Sequence, residues 1–251
     1  MSQTRENKTP KGGRLPDPKC PKGIWGCPIA PIPAEVAAFR AEFRARRAPT
    51  PLVGWRHASF ILLLGASVTT LVAFMVRAPV WWEWLALPVG FLIANLTEWA
   101  AHRWPMHHPM APLRVMYEKH TLEHHRFYTE ASMEAEAAGD FDSVLFSLPS
   151  LAFFLGGIGA PIAGLFFLLV SRNAGWLFTA LAVDYYVLYE CFHLAYHLPE
   201  RSWVGRLPGM AFLRRHHTRH HDRTLMADWN FNVTFPLSDA LFGTRFVPPA
   251  R

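Results

Sequence analysis

Apolar runs of membrane-spanning length dominate the chain between residues 58 and 197. Residues 58–76 carry no charge before Arg77, and a helix crosses a bilayer core with roughly 17–25 apolar residues. A second run begins at Pro79 and predicts a span over about 79–100. Glu83 interrupts it beside Trp81, Trp82 and Trp84, a tryptophan cluster of the kind that anchors helix ends at the membrane interface. Together the two runs predict a helical hairpin. A third run, 143–171, would measure about 43 Å as a straight helix, more than a core of roughly 30 Å. Gly156, Gly157, Gly159 and Pro161 in its middle therefore predict a tilted or broken span. The fourth run, 174–197, carries Asp184 and Glu190, and charges at membrane depth usually face a bundle interior or a site. The expected fold is an all-α integral membrane protein with four transmembrane helices in two hairpins. Residues 102–142 and 198–251 then lie on one side of the membrane.

Composition narrows the class. Of 251 residues 51% are hydrophobic and 18% charged, which excludes global disorder. The net charge of +6 is local: residues 1–57 hold eleven Lys/Arg against four Asp/Glu, and the remainder is close to neutral. A general affinity for nucleic acid is therefore not expected. Residues 1–50 are rich in Pro, Lys, Arg and Gly, with no apolar stretch of signal-peptide length. They predict a mostly disordered basic arm ending in a helix near 34–47, ahead of a membrane domain over 51–251. Arg40, Arg44, Arg46, Arg47 and Arg56 precede the first span and predict a cytoplasmic N-terminus by the positive-inside rule; four crossings return the C-terminus to the same side. Cys20 and Cys27 in the arm are expected to be reduced thiols.

The chemistry lies in the histidines. Thirteen histidines against three cysteines exclude disulfide scaffolds and four-cysteine zinc modules. Twelve of the thirteen fall in windows 102–125 and 193–221, as four boxes: His102-Arg-Trp-Pro-Met-His107-His108, His120-Thr-Leu-Glu-His124-His125, His193-Leu-Ala-Tyr-His197 and His216-His217-Thr-Arg-His220-His221. On an α-helix, residues four apart face one way, so His120/His124, His193/His197 and His217/His221 are each predicted to aim two imidazoles at one point. Adjacent pairs such as His124-His125 and His220-His221 splay by about 100°, which suits two neighbouring ions. A lone histidine at a membrane boundary is usually interfacial, as His57 is expected to be. Twelve in four boxes predict a two-metal centre. Imidazole suits Fe, Zn, Cu and Ni alike. Glu98 and Glu190 lie one turn before histidines and are expected to hold a ligand's second nitrogen or to carry protons.

These boxes, with Glu98-Trp-x-x-His102 before them and Asn230-Phe-Asn232-Val-Thr-Phe-Pro-Leu-Ser-Asp239-Ala-Leu-Phe242-Gly243-Thr244 after them, resemble the fatty acid hydroxylase / sterol desaturase superfamily of integral membrane non-haem di-iron enzymes. The resemblance covers about residues 55–247. The second box departs from it, with three residues between His120 and His124 where many members have two. The resemblance implies four spans capped on the cytoplasmic side by helices that complete the di-iron site. The ligands it implies are His102, His107, His120, His124, His125, His193, His197, His217, His220 and His221. His108 and His216 are left as supporting or spare positions. Asn230, Asn232 and Asp239 match the closing segment, with capping as the plainer role. Tyr185, Tyr186 and Tyr189 are placed to line a substrate channel or the membrane interface.

The implied activity is O2-dependent hydroxylation of a lipid C–H bond, with the acyl chain of a membrane lipid entering from the bilayer. Breaking such a bond needs a redox-active metal, and zinc is redox-inert, so two irons are expected, with zinc possible in purified material. Desaturation on the same site is the alternative within the class. Outside it stands a zinc-handling membrane protein or transporter, which would hold its ligands at mid-membrane on broken helices. A zinc protease is excluded because no His-Glu-x-x-His occurs. Neither a His-Pro-Gly-Gly haem segment nor a Gly-x-Gly-x-x-Gly loop is present, so a separate ferredoxin- or cytochrome-type donor is expected. The basic arm or Arg214, Arg215, Arg219 and Arg223 would receive it, or would bind anionic headgroups instead. A bacterial inner membrane is the expected location.

Overall fold

The computed structural model describes residues 31–47 and 51–248. Cys20, Cys27 and most of the expected basic arm lie outside the described residues. Helices joined by irregular segments make up the rest. Helix α1 is Ala34–Arg47 and α2 is Pro51–Met75. A tight 3-10 turn, Trp81–Leu85, leads into α3, Ala86–Ala101, which widens into a π-helical turn over His102–Met106. Short helix α4, Arg114–Tyr117, runs through a second π-helical turn, Glu118–His124, into α5, His125–Phe127. Helix α6, Leu148–Leu151, continues through a third, Ala152–Gly159, into α7, Ala160–Leu169. Then follow α8, Arg172–His197, α9, Met210–His220, and α10, Leu237–Leu241.

Among the described residues three helices are long and apolar enough to cross a membrane, over Leu52–Met75, Trp81–Met106 and Leu148–Leu169. The third contains the glycines that predicted a break. The helix stays continuous there and absorbs them in the π-helical turn, the usual form of an extra residue within a helix. Helix α8 is long enough, but its Asp184, Glu190 and tyrosines make it less apolar. It packs against α2, α3 and α7, so much of its surface meets protein. Thr69 on α2 donates to both oxygens of Asp184 at 2.8 Å, giving this charge a partner. At Gly65 and Gly90 a Cβ would press on Val187 and Leu181 respectively, so these two glycines let α2 and α3 approach α8 closely.

The ends of the helices are tied by polar contacts of different kinds. Away from the histidines, Glu83 accepts from Val80 N (2.9 Å), Ser171 Oγ (2.5 Å) and Asn173 Nδ2 (2.9 Å). Asn173 also exchanges hydrogen bonds with the backbone of Arg77, while Ser171 caps α8 by accepting from Ala174 N. The chain leaving α2 is thereby latched to the start of α8. At the histidine end, α1 is docked and does not belong to a detached arm. Val36, Phe39 and Phe43 are buried, with Phe39 and Phe43 packed against Phe127 and Tyr128. Arg44 pairs with Asp140 (2.7 Å) and Arg47 with Glu123 (2.8 Å) and Asp142 (2.9 Å). Burial of the apolar face of α1, the helix expected near 34–47, packs it onto the folded body.

The start of α2 meets the turn Ala138–Ser143 at Gly54. A Cβ there would run into Ala138 O and Phe141, and backbone cannot give way as a side-chain tip can. Gly54→Ala is expected to cost about 1–3 kcal/mol through overpacking, measured as a lower thermal midpoint in detergent; an unchanged midpoint would show that this turn is free to move.

Candidate metal centre

Ten buried histidines converge as two sets of five. His102, His107, His120, His125 and His220 form one; His124, His193, His197, His217 and His221 form the other. Within each set one ring nitrogen from every histidine lies within 4.8 Å of the others. The sets adjoin, with the rings of His125 and His221 stacked at 4.4 Å. Local helix geometry does the sorting. On the regular helix α9, His217 and His221 fall on one side and His220 on another. On α8, His193 and His197 share a side. The other two boxes lie on π-helical turns, where the hydrogen bond from His125 N reaches back five residues to His120 O, so residues five apart converge. His102 therefore meets His107, and His120 meets His125. The expectation that His120 and His124 aim at one point is corrected: they belong to different sets. The expectation that adjacent pairs divide between two points holds for both His124-His125 and His220-His221.

The outer nitrogens fix the state of the inner ones. His124 Nδ1 meets Ser143 O, His197 Nδ1 meets Met133 O, His220 Nδ1 meets Trp229 O and His221 Nδ1 meets Tyr128 O, each at 2.9 Å. His102 Nδ1 likewise meets Phe231 O. A carbonyl only accepts, so each Nδ1 carries the proton and, in a neutral ring, Nε2 is bare. Thr121 spends its hydroxyl proton on Met106 O (2.7 Å) and so accepts from His107 Nδ1 at 3.3 Å. His107 Nε2 and His220 Nε2 are thus two lone pairs 3.0 Å apart. Burial first, and then neighbouring imidazoles, hold His107, His120, His125, His217 and His221 well below the ordinary histidine range. Burial takes His124 down to about 3 and His220 to about 4. Neutral imidazoles with facing lone pairs are what a cation requires. The other Nε2 separations, 2.8–3.3 Å, suit ligands at right angles with bonds of about 2.0–2.1 Å.

A family model for fatty acid hydroxylases matches residues 87–244, more than half of the chain and all ten of these histidines. The chain belongs to the fatty acid hydroxylase family. It is an oxidoreductase of the lipid hydroxylase class and a membrane protein. Among solved structures this hydroxylase is similar to one described as full-length Scs7p with only the hydroxylase domain visible. The two are 19% identical with a TM-score of 0.56, over 78% of this chain and 68% of that one, a likeness of fold. No curated protein matches it.

The hydroxylase uses the remaining predicted residues as scaffold. Among the described residues Glu98 and Glu190 hydrogen-bond no histidine nitrogen; at five histidines the outer nitrogen is held by a main-chain carbonyl instead. Glu98 accepts from Val233 N, from Thr234 N (2.9 Å) and Oγ1 (2.6 Å), and from Tyr185 OH (2.6 Å). Glu190 accepts from Phe146 N. Asp239 accepts from Phe231 N (3.0 Å), Asn232 N (2.8 Å) and Thr244 Oγ1 (2.6 Å) and meets His216 at 3.1 Å. Asn230 donates to His216 O and accepts from Phe246 N, at a left-handed φ of 61° that Asn tolerates. Asn232 donates to Asn95 O. These bonds lock the closing segment whose carbonyls hold His102 and His220. His108 is exposed and bonded to Arg103 O. Arg214, expected on the surface, is buried against Leu198 O and Glu134, and Arg223 pairs with Glu35 at 3.7 Å.

Three contributors went unnoticed in the sequence: the carbonyls, Thr121 and Asn95. Asn95 was the legible one, a polar residue inside an apolar span; it holds Phe235 O and Ser238. An apolar pocket with about 630 Å³ of empty space, its mouth included, lies between α3, the third π-helical turn and α8. Tyr185, Tyr186 and Tyr189 are among its lining residues. Its wall includes Met106, next to His107, and Phe146, which stacks on Tyr189 at 5.1 Å beside His193.

Burial raises the Asp239 carboxyl, but the hydrogen bonds from His216, Thr244 and Asn232 outweigh that and hold it below the ordinary aspartate value. It therefore stabilises the fold above its unfolded value of about 3.9, and the contribution vanishes as pH falls through the lower folded value. Asp239→Asn is expected to cost about 2–4 kcal/mol at neutral pH, since it removes a charged acceptor of four hydrogen bonds. Thermal midpoints of the two proteins measured against pH should converge below about pH 4; a constant gap would refute this origin.

Proposed function

We propose that this chain is an O2-dependent membrane hydroxylase of a lipid acyl chain, with one iron in each five-histidine set. The reaction is R–H + O2 + 2 e⁻ + 2 H⁺ → R–OH + H2O. The observation that carries the reading is two adjoining five-histidine sets beside an apolar pocket between helices, whose wall residue Tyr189 packs on His193. Five nitrogen donors per ion exceed the four of closed structural zinc sites. That favours a redox metal over the zinc-handling alternative, as does the position of the boxes at helix ends. Iron bound there would supply the oxidising power that an unactivated C–H bond demands.

The protein's own contribution is placement and exclusion of water. Carbonyls and Thr121 keep six of the ten imidazoles aimed inward with Nε2 bare. The pocket seats an extended apolar chain between α3 and α8, with Met106, Phe146 and Tyr189 bringing one carbon close to the histidines. Glu190, through Phe146 N, fixes that part of the wall. We take α8 as the fourth span, paired with α6–α7, its charges facing protein partners. The histidine side is taken as cytoplasmic from the arginines that precede α2. Electrons come from a separate ferredoxin- or cytochrome-type protein, for which exposed Arg215 is an available contact.

Two experiments test this. Lipids from cells expressing the wild-type chain are expected to include species one oxygen heavier, absent with the His124→Ala, His220→Ala double variant, which removes one ligand from each set. Loss of two hydrogens instead would indicate desaturation. Purified protein holding zinc and showing no O2-dependent turnover after iron reconstitution would overturn the reading. Ala182 and Gly159 are neighbours in the pocket wall, where a Cβ on Gly159 would stand 3.8 Å from Ala182 Cβ. Ala182→Phe is expected to lower turnover of the longest chains about tenfold or more with metal content unchanged, read by chain-length competition.

A further inference from the structure

We propose that Arg40, on a helix outside the region matched by the family model, is a positioning residue for the second histidine set alone. This rests on the reading that both sets hold metal ions. Arg40 is 1% exposed and its guanidinium grips one irregular loop. Nε donates to Phe127 O (2.8 Å), one terminal nitrogen to Ser132 O (2.8 Å) and Ser132 Oγ (3.0 Å), and the other to Glu134 O (3.2 Å). The same group lies over the rings of Phe127 and Tyr128 at 4.9 and 5.3 Å. A buried guanidinium is costly unless its donors are met, and here the acceptors are almost all main-chain carbonyls.

That loop has carbonyls directed the other way. Tyr128 O holds His221 Nδ1 and Met133 O holds His197 Nδ1, while Ala135 N donates to His197 O (2.8 Å). Tyr128 also lies against the His197 ring at 4.0 Å. All of these histidines belong to the second set. The first set is anchored elsewhere, on Phe231 O, Trp229 O and Thr121. The fork geometry of the guanidinium thus converts the docking of α1 into the orientation of two imidazoles. Arg44, one turn further along α1, grips Asp140 and Glu136 side chains instead.

The test is titration of the purified full-length chain with cobalt(II), a first-row probe for imidazole sites, reading equivalents bound and their affinities. Wild type is expected to take two equivalents. Arg40→Met is expected to keep one unchanged and to weaken the other tenfold or more, the usual scale for losing a group that orients a ligand. Adding His107→Ala, which damages the first set, should then leave no tight site, whereas adding His197→Ala should cost little further. Arg44→Gln should retain both equivalents. If Arg40→Met fails to fold, Arg40→Lys, which keeps the charge and loses the fork, should show the same selective weakening. Two unchanged sites in the Arg40 variants, parallel loss of both, or an equal loss in Arg44→Gln would overturn the positioning role. A wild-type protein that binds no metal would instead overturn the reading of the histidine sets.

Discussion

A backbone carbonyl accepts hydrogen bonds and cannot donate one, and on that asymmetry the site depends. Five imidazoles are held by carbonyls of Tyr128, Met133, Ser143, Trp229 and Phe231. Each such bond dictates which nitrogen is protonated and turns the bare one inward. None of these carbonyls belongs to a long helix, whose own ladder would occupy them. They come from irregular segments, which must then be immobilised by other means. Charged groups supply the means: Glu98 and Asp239 clasp the closing segment, while Arg40 and Asp140 clasp the stretch after α5. The buried charges therefore support the loops, the loops support the imidazoles, and among the described residues no carboxylate hydrogen-bonds a histidine of either set.

The same economy appears in the helices. Apolar residues face outward along α2 and α7, where Leu62, Leu63, Leu168 and Leu169 are exposed, as expected of surfaces that meet lipid. Two pairs of polar side chains within the helices, Thr69 with Asp184 and Asn95 with Tyr185, are satisfied by protein, whereas the hydroxyl of Tyr189 has no hydrogen-bond partner among the described residues. Helix α8 collects most of them and carries two of the second set's histidines.

Much of this was legible beforehand. Apolar runs announced three of the long helices, the second despite Glu83, and α8 was visible as a fourth run although it carries Asp184 and Glu190. Convergence of the boxes followed from helical spacing wherever the helix is regular, as at His193/His197 and His217/His221. It failed at His120, because spacing arguments assume 3.6 residues per turn and this segment does not obey it. The hydrogen-bond partners of Glu98 and Glu190 were hidden for another reason. Sequence distance along a helix locates a carboxylate near a histidine but cannot reveal that Thr234, over a hundred positions away, reaches it first. Carbonyl partners were illegible altogether, since every residue has one.

The π-helical turn through His120 also has a consequence for how the histidine boxes correspond to one another. Box four places its first and last histidines in one set and the middle one in the other, across His217-x-x-His220-His221. Box two reaches the same partition across His120-x-x-x-His124-His125, one residue longer. The widened turn swallows that insertion locally, so the rings keep their stations while the numbering shifts. Laid on box four without a gap, His120 would fall on His216, which belongs to neither set; only when the extra residue is assigned to the turn does it correspond to His217.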